Sequence, residues 1–205
     1  MVKILKKIQI FILIISICVI FVACVPNGLN AKSTEITKKF YTQYFKNLEK
    51  NDLEKINKTK KTYMTDILVE EMDLRSKELE VDAITGFDYK KEIAEKMVVE
   101  EGEDESWVKV TFDMFEEEGK PYNIYVMDIH FRDADKKRYM DTMDLTIYDV
   151  DEDGDRTRME YKTKYANKEE LSDEDKAAME RIKNYYDDLN DVGNDLDEID
   201  DESGE

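Results

Sequence analysis

Residues 149–160 read DVDEDGDRTRME. They place Asp149, Asp151, Asp153, Asp155, Thr157 and Glu160 at the spacing by which a calcium loop supplies its oxygen ligands, with Gly154 at the sharp turn. Three aspartates would give carboxylates, Asp155 its carbonyl, Thr157 a direct or water-bridged contact and Glu160 a bidentate closure. Against this, the preceding DTMDLTIY alternates as a strand rather than a helix, and the usually aliphatic eighth position is Arg156. The segment is therefore not an EF-hand, and two readings stay open. In one it is a bare hairpin connection, with Asp-Gly making the turn and Glu160 beside Arg158 and Lys162 on the solvent face. In the other, four crowded carboxylates take calcium weakly, in the range of about 10⁻⁴ to 10⁻³ M typical of extracellular modules. The bare turn is the expectation, so no cofactor is assigned apart from that weak calcium.

A second candidate is the only histidine, His130. Alternation puts it on one face of a strand with Asp128, Val126 and Ile124, and a His–Asp pair can do acid and base work. That face lies opposite the strand's apolar side, so a surface pair is the expected outcome. The signatures G-x-S-x-G, H-E-x-x-H and the P-loop do not occur, and the whole chain has seven glycines. We expect no enzyme.

The two cysteines, Cys18 and Cys24, both fall in the amino-terminal segment MVKILKKIQIFILIISICVIFVAC. Lys3, Lys6 and Lys7 precede an apolar run that ends in small residues, which is the layout of an export signal. If Cys24 carries a lipid, the remaining domain has no thiol for a disulfide, a nucleophile or a thiolate zinc site. Cleavage after Ala31 or a retained anchor over Ile8–Val25 are the alternatives. The formal net charge is −19. Such a surface repels nucleic-acid phosphate and anionic lipid, so attachment to a membrane is expected to rest on the lipid.

These residues need a scaffold of helices followed by strands. Ile36, Phe40, Tyr41, Tyr44, Phe45 and Leu48 recur at helical spacing, Thr65 can cap a second helix over DILVEEMDLRSKEL, and KKEIAEKMV suggests a third. From Ser106 the period changes to two. Val108, Val110, Phe112 and Met114 predict one strand; Tyr125, Met127, Ile129 and Phe131 a second, after the turn EEEGKP; Met143, Leu145 and Ile147 a third; Met159, Tyr161 and Tyr165 a fourth. Ser172, with Asp175 three residues on, predicts a last helix lined by Met179, Ile182, Tyr185, Tyr186 and Leu189. The final 19 residues, from Asp187, hold ten acids and no Lys or Arg, a composition that does not bury itself. The expected class is α+β, with amino-terminal helices packed on a curved four-stranded antiparallel sheet, a carboxy-terminal helix and an acidic tail.

FVAC, Phe21–Cys24, resembles the lipobox of bacterial lipoproteins, with Phe21 in place of the usual leucine. FYTQYFKNLEKND, YMTDILVEEM, ELEVDAITGFD and the strand beginning WVKV resemble the bacterial envelope domains called domain of unknown function 3828, over roughly residues 40–165. The resemblance implies a nuclear transport factor 2-like cone, in which helices fill the concave face of a curved sheet. Asp82 and Asp88 match acids of that pattern and also suit turn caps. The implied layout is a lipoprotein signal peptide over 1–23, a linker over 24–32, a cone-like domain over 33–167, a helix over 168–190 and a disordered acidic tail over 191–205. The implied function is a non-enzymatic, lipid-anchored module at the cell membrane, facing the extracellular side or periplasm, that binds a protein or small ligand and no nucleic acid. The alternative is a cone-pocket enzyme of isomerase or dehydratase type using Asp128 and His130.

Overall fold

The structure is a computed structural model that describes residues 28–29, 31–79, 81–115, 121–159 and 171–201. Five strands form one antiparallel sheet in simple sequential order: β1 (Val98–Glu101), β2 (Trp107–Phe115), β3 (Pro121–Ala134), β4 (Lys137–Val150) and β5 (Arg156–Met159). Among the described residues five helices accompany it: α1 (Ser33–Glu49), α2 (Leu53–Tyr63), α3 (Asp66–Leu79), α4 (Lys91–Ala94) and α5 (Asp173–Asp201). The α+β class and the carboxy-terminal helix are as the sequence implies. The sheet has five strands rather than four, and it is not closed.

The extra strand is β1, which begins at Val98, the last residue of the segment KKEIAEKMV that helical spacing assigned to a third helix. That helix stops at Ala94, and the β-branched pair Val98 and Val99 turns instead into a strand paired with β2. With four residues and two glutamates, β1 is too short to display alternation. At the opposite edge Met159 was expected to face the core; β5 is exposed throughout, and Met159 is 47% exposed. Tyr161 and Tyr165 lie outside the described residues, as do Glu160 and the turn at 116–120.

One helix is not announced by apolar spacing. α2 buries only Ile56, Thr59, Lys60 and Tyr63, and it starts where the Asp52 carboxylate accepts the Lys55 backbone N–H at 3.1 Å. Asn51, in the left-handed region at φ 48°, reverses the chain between α1 and α2. The β3–β4 hairpin turns through Asp135 and Lys136, both at positive φ, which is the twist of a two-residue hairpin loop.

Period-two alternation holds in β2 and β4; in β3, Ile124 and Val126 are buried on the opposite face as well. Val108, Val110, Phe112, Met114, Met127, Ile129, Phe131 and Met143 are buried on one face, in one cluster with Ile36, Phe40, Tyr41, Tyr44 and Phe45 of α1. Phe112 sits at the centre of this layer, with ring centroids 5.6 Å from Tyr41, 6.2 Å from Phe45 and 5.3 Å from Phe87. Gly86 is tightly enclosed on this side: at φ 79°, a Cβ there would stand 2.7 Å from Leu145 and 2.8 Å from Tyr125.

Register breaks once between β3 and β4. His130 faces Thr142 and Phe131 faces Met140, which leaves Asp141 as the additional residue of a bulge. The bulge turns Asp141 inward to 2% exposure, beside the place where α5 arrives.

Candidate functional site

Alternation carries the even-numbered residues of β3 to the face of the sheet away from α1. There the pairing aligns Lys109, Asp128 and Asp144 in one row across β2, β3 and β4, and Trp107, His130 and Thr142 in the next. The Trp107 and His130 rings lie 4.8 Å apart at 46°. A groove of about 580 Å³ opens beside them, lined by residues that include Glu101, Gly102, Glu103, Trp107, Lys109, Asp128 and Asp144. Gly102 allows the Trp107 backbone to come close, because a Cβ there would fall 2.6 Å from the Trp107 Cβ and 3.0 Å from its carbonyl. Its N–H donates to the Trp107 carbonyl at 2.8 Å and fixes the approach.

The groove is acidic with one aromatic wall. Burial pushes the Asp128 carboxyl above the ordinary range; the Lys109 ammonium pulls it down and the Asp144 carboxylate pushes it up. Asp104, in the turn before β2, is held below its usual value first by its hydrogen bonds from Ser106, with His130 adding a smaller attraction. So Asp128 and His130 do share a face, as their spacing requires, but each has its own neighbours: Lys109 and Asp144 for the one, Trp107 and Thr142 for the other. Carboxylates facing a lone lysine across an indole attract cations, since the ring face and the anions favour the same charge.

The acidic loop is organised by its own backbone. Asp149, one residue before the end of β4, lies opposite Thr157 of β5, and the Asp151 side chain accepts the N–H groups of Asp153 at 3.0 Å and Asp155 at 2.8 Å. Gly154 takes φ 91° and donates to the Asp151 carbonyl at 3.0 Å. Among the described residues no three acidic, histidine or cysteine side chains are gathered as a metal site. Cys24 and the rest of residues 1–27 also lie outside the described residues, and no described helix is long and apolar enough to cross a membrane.

Asp82 does cap a turn. Its carboxylate accepts the Ile84 N–H at 2.9 Å and the Tyr44 hydroxyl at 3.0 Å, while its carbonyl takes the Gly86 N–H at 2.7 Å. Burial pushes the Asp82 carboxyl up, against the pull of those bonds and of Lys60. Tyr41 and Tyr44 are pushed well above a normal phenol, chiefly by burial and then by the Asp82 charge. Asp88 is exposed.

A further polar cluster escaped the sequence. Tyr185 of α5 donates to both oxygens of Asp141, at 2.7 and 2.8 Å, with Arg132 at 3.6 Å from the same carboxylate. Tyr186 donates to Glu71 at 2.6 Å, and Glu71 is paired with Arg75 at 2.5 Å. Arg181 forks onto Glu70, at 3.0 Å for both contacts, and Lys77 meets Asp175 at 2.6 Å. The adjacent tyrosines were legible as an apolar stripe; their carboxylate partners, 44 and 115 residues away, were not.

No protein-family model and no curated protein sequence matches the chain. Among solved structures it is similar in part to a protein of unknown function from Bacteroides thetaiotaomicron VPI-5482. The two are 17% identical with a TM-score of 0.46, over 52% of this chain and 83% of that one.

Proposed function

We infer that this chain is a non-enzymatic lipoprotein of the bacterial envelope, anchored through Cys24, whose domain, of the cone-like kind that the sequence resembles, serves as a binding module. The observation that carries the binding role is the division of labour between the two faces of the sheet. On the helix side, Phe40, Tyr41, Phe45, Phe87 and Phe112 fill the layer between α1 and the sheet. On the other side, the Trp107 groove stays open and carries carboxylates on both flanks. Its chemistry suits a cationic ligand or a basic segment of a partner protein, held by charge and by the indole face.

The test is site-specific photo-cross-linking from Lys109 in living cells, with the full chain and with its Trp107→Ala variant. A discrete adduct that disappears in the variant supports the module; no adduct from this face overturns it. Anchoring is read separately from the mass of the mature amino terminus. Acylated Cys24 is expected, and a chain beginning at Lys32 or retaining Met1 rules the lipoprotein out.

A further inference from the structure

The chain is strongly acidic, yet its first two helices are not. Residues 33–63 hold eight lysines against four acids, within a molecule of net charge −19. Several of these lysines converge. α1 and α2 lie antiparallel, and between them runs a groove of about 390 Å³ with Lys46, Lys50, Lys55 and Lys58 around it. Its floor is held in place: Asn47 Nδ2 donates to Thr59 Oγ1 at 3.0 Å, and Gln43 Nε2 donates to the Tyr63 hydroxyl at 3.1 Å. Lys55 is taken by Asp52 at 2.5 Å. Lys46, Lys50 and Lys58 are exposed and make no ion pair among the described residues. Lys39, Lys46 and Lys50 follow one another at helical spacing, so the positive charge continues from the groove along α1.

We propose that the α1–α2 groove is a site for phosphate-bearing anions, and that its occupant is the anionic headgroup layer of the membrane that holds the chain. The proposal rests on the anchoring reading above. Three features select a surface over a small solute. From Lys39 to Lys50 the stripe extends about 16 Å along the helix, longer than one phosphate needs. Gly28 is pinned in a bridge to Lys137, and four residues of chain from Cys24 reach at most about 14 Å, which keeps the domain beside the bilayer. At physiological salt, charge is screened over about 8 Å, so the lysines in contact decide the interaction and the distant carboxylates do not. Because α1 packs on one face of the sheet and the Trp107 groove opens on the other, seating the lysines on the membrane presents the acidic groove outward.

The experiment uses the full chain purified from membranes in neutral detergent, so that the protein is already in a micelle whatever its anchor. Calorimetric titration compares phosphatidylglycerol with phosphatidylcholine, and inorganic phosphate as the free anion. The same titrations are run on the Lys46→Gln, Lys50→Gln, Lys58→Gln variant, and on a control with the same charge change at the exposed Lys90, Lys91 and Lys183. A lysine near an anionic surface contributes a factor of about five. We expect saturable phosphatidylglycerol binding, weaker on the order of a hundredfold in the groove variant, close to unchanged in the control, and absent with phosphatidylcholine. Equal binding by all three proteins overturns the site. Saturation by inorganic phosphate at the same concentration as phosphatidylglycerol overturns the headgroup as occupant. The intact mass of the same preparation reports acylation of Cys24 independently, so failure of the anchor and failure of the groove give different results.

Discussion

At the residue scale, buried carboxylates define the chemistry of this domain, and Asp82 offers the sharpest test. Burial raises its carboxyl above the unfolded value of about 3.9. The folded chain thus holds that proton harder than the unfolded chain does. Its contribution to stability is complete in acid, below the unfolded value, and is lost as pH rises through the folded one. In Asp82→Asn this loss disappears, while an amide oxygen can still accept the Ile84 N–H. Denaturant midpoints between pH 4 and 7 should fall less steeply for Asp82→Asn than for the parent, and parallel slopes would refute the assignment. Asp82→Ala removes both hydrogen bonds and should cost about 1–3 kcal/mol. In the loop at 149–160, the Asp151 oxygen is already occupied by two backbone N–H groups. We expect millimolar calcium to give the same heats with the parent and with Asp151→Asn plus Glu160→Gln; a difference would mean that the loop takes the cation. The loop's spacing was legible in the sequence because ligand types are local. Where its carboxylates point was not, because that depends on which amides the turn leaves free.

At the element scale, what was legible followed from periodicity. Val108, Val110, Phe112 and Met114 announce β2 because one face is buried against α1 and the other is not. Elements held by other means stayed hidden. α2 is mostly lysine, asparagine and threonine, and is placed by its Asp52 cap and the packing of Ile56 and Tyr63; β1 is a strand through pairing alone. α5 is the reverse case: it was visible, but the manner of its attachment was not. Its described side chains from Asp173 to Asp188 are half-buried at most, and it is held by phenol–carboxylate and arginine–carboxylate bonds to α3 and β4. Tyr185→Phe leaves buried Asp141 with Arg132 at 3.6 Å, which should cost about 1–3 kcal/mol. Amide exchange should show α5 losing protection before the sheet does. A uniform loss across the domain would show instead that helix and sheet open together.

At the scale of the whole molecule, charge is divided by position: lysines on α1 and α2, carboxylates on the far face of the sheet and in the segment that ends the chain. Every α5 contact described above is made at or before Tyr186. Truncation before Asp191 should therefore leave the melting temperature unchanged within about 2 °C, since one lost kcal/mol already moves a domain of this size by about 2–4 °C. A larger drop would mean that the removed segment docks. The ends of the sheet bear on a different matter. Unpaired strand edges are templates for pairing with a neighbour, and the danger grows when copies are confined to a plane. Here both edge strands are four residues long; β1 ends in Glu100 and Glu101, and β5 carries Arg156 and Arg158. Two β1 edges repel, two β5 edges repel, and a β1–β5 contact offers four residues of ladder against the nine and fourteen of the inner strands. Crowding this protein should produce a dense layer of separate copies rather than a continuous ribbon.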